Sequence, residues 1–138
     1  MPTVIDFGKG AVTFFNATPH SINIIEGAEY KAAIRKWIGG REIAVIPTDT
    51  MLSAQLDMVP IADLGNGVTI CEQQALSCDP LPPDAKAADY IVVSAIYGIA
   101  YQMLHGLNSK LVSVRDLVVD SETYAPVGCR GLATIYIK

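Results

Sequence analysis

Apolar and polar residues along this 138-residue chain follow mainly the two-residue period of β-strands. Clusters of β-branched and aromatic residues between turn residues predict the strands, and these are Ala11–Asn16, Ser21–Ile25, Arg41–Pro47, Met51–Ile61, Val68–Cys71, Tyr90–Val93, Leu111–Val119 and Val127–Lys138. A chain of this length is the usual size of one domain. The pattern therefore predicts a single α+β domain over residues 1–138, mainly a mixed or antiparallel sheet with one or two helices.

Two segments have the spacing of helices. In Ala95–Leu107 the apolar residues recur at intervals of three and four, and Ser94 stands where an N-cap would satisfy the free amides. In Glu29–Ile38 the apolar residues also fall at helical spacing, and a Gly-Gly pair follows where a helix would end. Ser77–Lys86 contains three prolines and is predicted to be an extended loop.

The composition argues for self-association and against several partners. Hydrophobic residues make up 51% of the chain and charged residues 17%, which is more apolar than a small soluble monomer needs, so we expect a homo-oligomer. The net charge is −4, with ten Lys and Arg and no run of them, which disfavours a nucleic-acid polymer as partner. No apolar run reaches the roughly 18 residues of a membrane span, so no membrane partner is predicted.

Three cysteines occur at spacings that match neither a zinc site nor an even disulfide framework. A reducing compartment is the simplest interpretation, and no secretory signal is visible at the amino terminus. We therefore expect a cytoplasmic protein. No metal site and no cofactor are predicted.

Thr18 and His20 are candidate ligand-binding residues at a turn between two predicted strands. Pro19 fixes its own backbone and restrains Thr18, so His20 would be presented at a rigid corner. An imidazole can act as a base or a hydrogen-bond donor near neutral pH. The alternative is that the histidine only bonds the backbone and pins the corner.

Arg115 and Arg130, in two predicted strands, are candidate ligands for an anion. In an alternating strand Arg115 and Asp116 point to opposite faces, so at least one meets solvent, a ligand or a partner. Guanidinium groups suit phosphate or carboxylate, and the helix start at Ser94 would strengthen the site if its amides pointed the same way. The alternative is an ion pair between Arg130 and Asp116 or Asp120, and the spacing does not separate the two.

Cys129 is a candidate nucleophile, because a neighbouring arginine would stabilise its thiolate. Such a nucleophile also needs a base, and the fold would have to bring His20 or His105 to it. The alternative is a buried cysteine that packs as a small apolar residue.

Tyr97, Tyr101 and His105 stand four residues apart and share one face of the predicted second helix. This face would form a wall of a pocket or a subunit contact, which makes Tyr97 a further candidate for ligand binding. Alternatively, these side chains shield an edge of the core while their polar tips reach water.

Four short motifs follow one another along the chain: Asn-x-Thr-Pro-His at 16–20, a strand-to-helix junction at Tyr90–Ala95, Arg-Asp at 115–116, and Gly-Cys-Arg-x-Leu at 128–132. In this order they resemble a family of short uncharacterised proteins of phages and bacterial genomes. The resemblance covers most of the chain and implies the fold and a phage or mobile-element setting, but no activity. The chain departs from the family at Glu29–Ile38, which looks like an inserted helix, and at a shortened final hairpin, Asp120–Pro126.

Three function hypotheses remain open from the sequence. The first is a non-enzymatic binding or interaction protein, a homo-oligomer that holds a small anionic, nucleotide-like ligand or docks on a host protein. The second is a small hydrolase or transferase that uses Cys129 or His20. The third is a structural or assembly protein without a small ligand.

Overall fold

The computed structural model describes residues 1–135, which form eleven strands and two helices. The elements are β1 Thr3–Asp6, β2 Ala11–Asn16, β3 Ile22–Glu26, β4 Glu29–Lys31, β5 Lys36–Ile38, β6 Arg41–Ile46, β7 Ala54–Gly65, β8 Val68–Cys78, α1 Pro83–Ala87, β9 Tyr90–Val92, α2 Ala95–His105, β10 Leu111–Val119 and β11 Pro126–Thr134. The predicted class, a domain that is mainly sheet with one or two helices, agrees with this arrangement.

Most of the strands belong to one mixed sheet in the order β1-β2-β9-β10-β11-β3-β6. The pairs β1–β2, β10–β11 and β3–β6 are antiparallel, whereas β9 runs parallel to both β2 and β10, and β3 runs parallel to β11. The short hairpin of β4 and β5 is attached through β5, which pairs in parallel with the end of β10. Strands β7 and β8 form a separate two-stranded antiparallel ribbon.

The central strands β2, β9 and β10 are buried on both faces where they pair with one another. Phe14 and Phe15 are neighbours on β2, yet they belong to two different apolar clusters, as the alternation of side chains requires. One cluster lies under the two helices and includes Tyr97, and the other lies between the central strands and β3 and β6. Burial on both faces explains why apolar residues stand next to one another at Phe14–Phe15, Ile91–Val92 and Leu111–Val112.

The helix predicted over Glu29–Ile38 is wrong, because this segment forms the β4–β5 hairpin. Tyr30 and Trp37 face each other across the two strands, with ring centroids 5.3 Å apart. The pairing of β5 with β10 adds backbone hydrogen bonds that a helix here would forgo. A helix this short is marginal by itself, so these long-range contacts outweigh the helical spacing.

Other boundaries differ from the prediction for local reasons. The segment Ser77–Lys86 is not entirely extended, since α1 begins at Pro83, a residue suited to the first position of a helix. Helix α2 ends at His105 rather than Leu107, because Gly106 adopts a φ of 85°. Neither helix within residues 1–135 is long and apolar enough to cross a membrane.

Candidate functional site

The Asn-x-Thr-Pro-His motif folds around the buried side chain of Asn16. Its amide nitrogen donates to the carbonyl oxygens of His20 and Ile46 at 2.9 and 2.8 Å. Its amide oxygen accepts from the backbone N–H of Thr18 at 2.9 Å and lies 2.7 Å from the Thr18 hydroxyl. That hydroxyl is also 2.8 Å from the His20 carbonyl oxygen. The side chain of Thr18 is therefore used inside the turn, where it and Asn16 hold the corner together.

The imidazole of His20 projects from this corner into a pocket of about 380 Å³. It is exposed, and in the described part of the chain it makes no hydrogen bond. The pocket is lined mostly by apolar side chains of β10 and β11, and Cys129 also lines it. The fold thus brings His20 and Cys129 to one pocket, as the hypothesis of an enzyme requires.

The thiol of Cys129 is nevertheless poorly suited to act as a nucleophile. Its side chain is only 1% exposed and packs in an apolar cluster. Burial raises the pKa of this thiol above its ordinary value, which outweighs the lowering by the Gly131 amide and by Arg115. The thiol therefore stays protonated at neutral pH, and the geometry favours packing as a small apolar residue.

Labelling with a thiol-specific disulfide reagent at neutral pH is expected to distinguish Cys71 from Cys129 by their rates of reaction. Cys71 is exposed and should react at least about tenfold faster than the buried Cys129, because reactivity follows thiolate content and access. The rate is read from the release of the coloured thiol, and Cys71→Ser should remove the fast phase. A fast phase that is instead lost in Cys129→Ser would contradict this assignment and favour the nucleophile hypothesis.

Arg115 and Arg130 share one carboxylate, that of Asp116. The Asp116 Oδ2 atom lies 3.0 Å from Arg115 Nη1 and 3.5 Å from Arg130 Nη1. The expectation that Arg115 and Asp116 point to opposite faces is wrong, because Asp116 adopts a φ of 52° and interrupts the alternation of β10. Arg130 also lies over the Trp37 ring, with its Cζ 3.7 Å from the centroid. The two guanidinium groups are thus partly neutralised, which weakens them as an anion site.

Ser94 and Tyr97 lie at the start of α2, and both are engaged within the fold. The Ser94 hydroxyl accepts from the backbone N–H of Tyr97 at 3.2 Å, so the predicted N-cap is confirmed. Tyr97 is buried and its hydroxyl donates to the carbonyl oxygen of Asp79 at 2.7 Å. Burial, with Cys78 and Asp79 nearby, raises the pKa of this tyrosine. Tyr97 therefore anchors the end of β8 to α2.

The six residues predicted to bind a ligand consequently lie in three separate places. Thr18 and His20 are at the corner, Ser94 and Tyr97 are at the start of α2, and the two arginines surround Asp116. On the aromatic face predicted on α2, Tyr101 and His105 line a small pocket of about 190 Å³ beside Lys86.

The most exposed apolar surface lies on the β7–β8 ribbon, which we define as Ala54–Cys78. Its large apolar side chains that are about half exposed or more are Met58, Ile61, Leu64, Val68, Ile70 and Leu76. At its base, Ala54 and Cys78 pack against the cluster under the helices. The Gly65-Asn66-Gly67 segment at its tip has the composition of a hairpin turn, and all three residues have positive φ.

Among residues 1–135, no group of three or more His, Cys, Asp or Glu side chains is arranged to hold a metal ion. No model of a known protein family, no curated protein and no solved structure matches the chain significantly. The resemblance to short phage and bacterial proteins thus stays a prediction, and the function has to be argued from the surfaces of the molecule.

Proposed function

We propose that the protein is a non-enzymatic interaction protein that assembles with further copies of itself through the ribbon. One observation carries this proposal: the ribbon projects a concentrated set of exposed apolar side chains. Exposed apolar side chains gathered on one element in this way are typical of protein interaction sites.

Both faces of the ribbon are accessible, which supports a partner beyond the chain itself. Cys71 is opposite Pro60, and the next residue, Ile70, is opposite Ala62. Successive residues of β8 point to opposite faces, and both Ile70 and Cys71 are exposed. Beyond its base, where it contacts α2 and the cluster under the helices, the ribbon therefore has both faces open to a partner.

An isolated two-stranded ribbon is marginally stable in water and has two unpaired edges. A partner that covers the apolar side chains and one edge would stabilise it. A second copy fits this role because the ribbon carries only acidic charges, and each copy also exposes cationic residues elsewhere on its surface. Complementary charge of this kind favours association between copies.

The double variant Leu64→Ser/Ile70→Ser is expected to shift the protein from oligomer to monomer. Each lost apolar side chain removes up to about 1.5–3 kcal/mol of burial at an interface. The subunit count is read by native mass spectrometry and by light scattering after size exclusion, with circular dichroism to check the fold.

A matched control is Ile96→Ser/Leu107→Ser. Leu107 is 62% exposed and Leu64 is 64% exposed, while Ile96 is 54% exposed and Ile70 is 47% exposed. The control therefore replaces the same two residue types at positions of comparable exposure. The control should keep the wild-type mass. A monomeric wild-type protein, or equal dissociation of both double variants, would overturn the assignment to the ribbon.

A second candidate function is the binding of a small ligand in the pocket beside His20. The observation that favours it is the size of the pocket, which falls in the range typical of ligand sites, together with one unpaired imidazole on its lining. The same native mass spectra test it, because a retained molecule adds mass to each subunit. A phage or mobile-element setting for either function stays a prediction from the resemblance.

A further inference from the structure

The inference below rests on the proposed self-association and names the surface that receives the ribbon. We infer that the ribbon of one copy docks on the β4–β5 hairpin of the next copy, with acidic side chains of the ribbon facing basic side chains of the hairpin. The contact is therefore head to tail, between two different surfaces of the same chain.

The ribbon supplies an acidic and apolar face. Asp57 is opposite Gln74 and Val59 is opposite Glu72, so Asp57 and Glu72 are diagonal neighbours on one face. Ile70, two residues from Glu72, shares this face. No Lys or Arg occurs between 42 and 85, and none of the ion pairs within residues 1–135 involves Asp57 or Glu72. These carboxylates are available to a cationic partner.

The β4–β5 hairpin supplies the opposite charges. Lys31 is directly opposite Lys36, and like charges in this position destabilise a hairpin unless an anion lies near. Lys31 is paired with Glu29 at 3.1 Å, but Arg35 and Lys36 take part in no ion pair within the described residues. Two carboxylates from another copy would relieve this repulsion.

The hairpin also carries apolar surface and is held in place. Tyr30 is 49% exposed and Ile34 is 36% exposed, so both can contact the apolar side chains of the ribbon. Trp37 pairs with Val118 on β10 and lies under the Arg130 guanidinium. A surface that is already fixed before binding loses less conformational entropy on association.

Contact between two ribbons is less favourable than this arrangement. In a symmetric ribbon pair, the carboxylates of one copy would face the carboxylates of the other. Within one chain, Tyr97 anchors the base of the ribbon at the start of α2. Helix α2 follows β9, and β9 pairs with the first residues of β10. The hairpin instead pairs with the last residues of β10. The base of the ribbon and the hairpin thus lie at opposite ends of β10, and docking of the ribbon on the hairpin of another copy gives a ring, or a filament if the rotation does not close.

Charge reversal tests this arrangement. The ribbon variant is Asp57→Lys/Glu72→Lys, and the hairpin variant is Arg35→Glu/Lys36→Glu. Each variant should raise the dissociation constant of the assembly at least about tenfold, because like charges then face each other across the contact. A 1:1 mixture of the two variants, or one chain with all four changes, should restore assembly. The readouts are analytical ultracentrifugation and native mass spectrometry.

Lys9→Glu/Lys86→Glu is a control for the hairpin variant, because it changes the net charge by the same amount and in the same direction. Both lysines are exposed and lie outside the hairpin, so this control should assemble like the wild type. If the hairpin variant assembles normally while Leu64→Ser/Ile70→Ser is monomeric, the hairpin is not the docking surface, although self-association through the ribbon stands. If the wild-type protein is monomeric, both proposals fall. Failure of the combined four-residue variant to reassemble would overturn the pairing of these two surfaces.

Discussion

Replacing Asn16 by alanine is expected to lower the free energy of unfolding by about 3–4 kcal/mol. The change removes four hydrogen bonds, each with a net contribution of about 1 kcal/mol, and it leaves the buried carbonyl oxygen of Ile46 without its donor. The effect is measured from urea denaturation followed by far-ultraviolet circular dichroism.

Asn23→Ala is the matched control, because Asn23 makes one exposed hydrogen bond, to Glu42. This variant should lose no more than about 1 kcal/mol. Equal losses in the two variants would contradict the central role assigned to Asn16. The motif would then have to be explained by a role other than holding the corner.

Replacing Gly40 by alanine is expected to lower the free energy of unfolding by about 2–5 kcal/mol. Its φ of 81° costs a residue with a Cβ about 1–2 kcal/mol. A Cβ there would also lie close to the backbone at Glu26 and Ala28, which cannot move as a flexible side chain can, and such overpacking costs about 1–3 kcal/mol more. Thermal and urea denaturation both measure the loss.

The neighbouring Gly39 separates these two causes. Its φ is 76°, but a Cβ at this position would have no atom within 4 Å. Gly39→Ala should therefore show only the backbone cost, about 1–2 kcal/mol. If Gly39→Ala is as destabilising as Gly40→Ala, the close approach of the backbone is not the reason for the glycine.

The sequence predicts the central strands well because the positions of their apolar residues follow from which parts of these strands are buried. Ala11–Asn16 and Leu111–Val119 begin and end where the sequence analysis places them, since both are rich in β-branched or aromatic residues and are bounded by turn residues. The segment Glu29–Ile38 is different, because its structure is decided by pairing with β10, which is distant in sequence. Local spacing contains no information about that pairing.

The candidate site is predicted less well than the fold, for two physical reasons. Asp116 takes a left-handed backbone conformation, which no spacing rule indicates, and this brings both arginines to one carboxylate. The meeting of His20 and Cys129 at one pocket depends on strand order, which the sequence leaves open. The N-cap at Ser94 depends only on local sequence, and this prediction is confirmed.

The position of Trp37 has a spectroscopic consequence. It is the only tryptophan of the chain, and it lies in the hairpin with a guanidinium group against its ring. Selectively excited indole emission therefore reports on this hairpin alone, with no contribution from the rest of the sheet. The molecule thus carries its own optical probe at the surface where we place the contact between copies, and association can be followed without an attached dye.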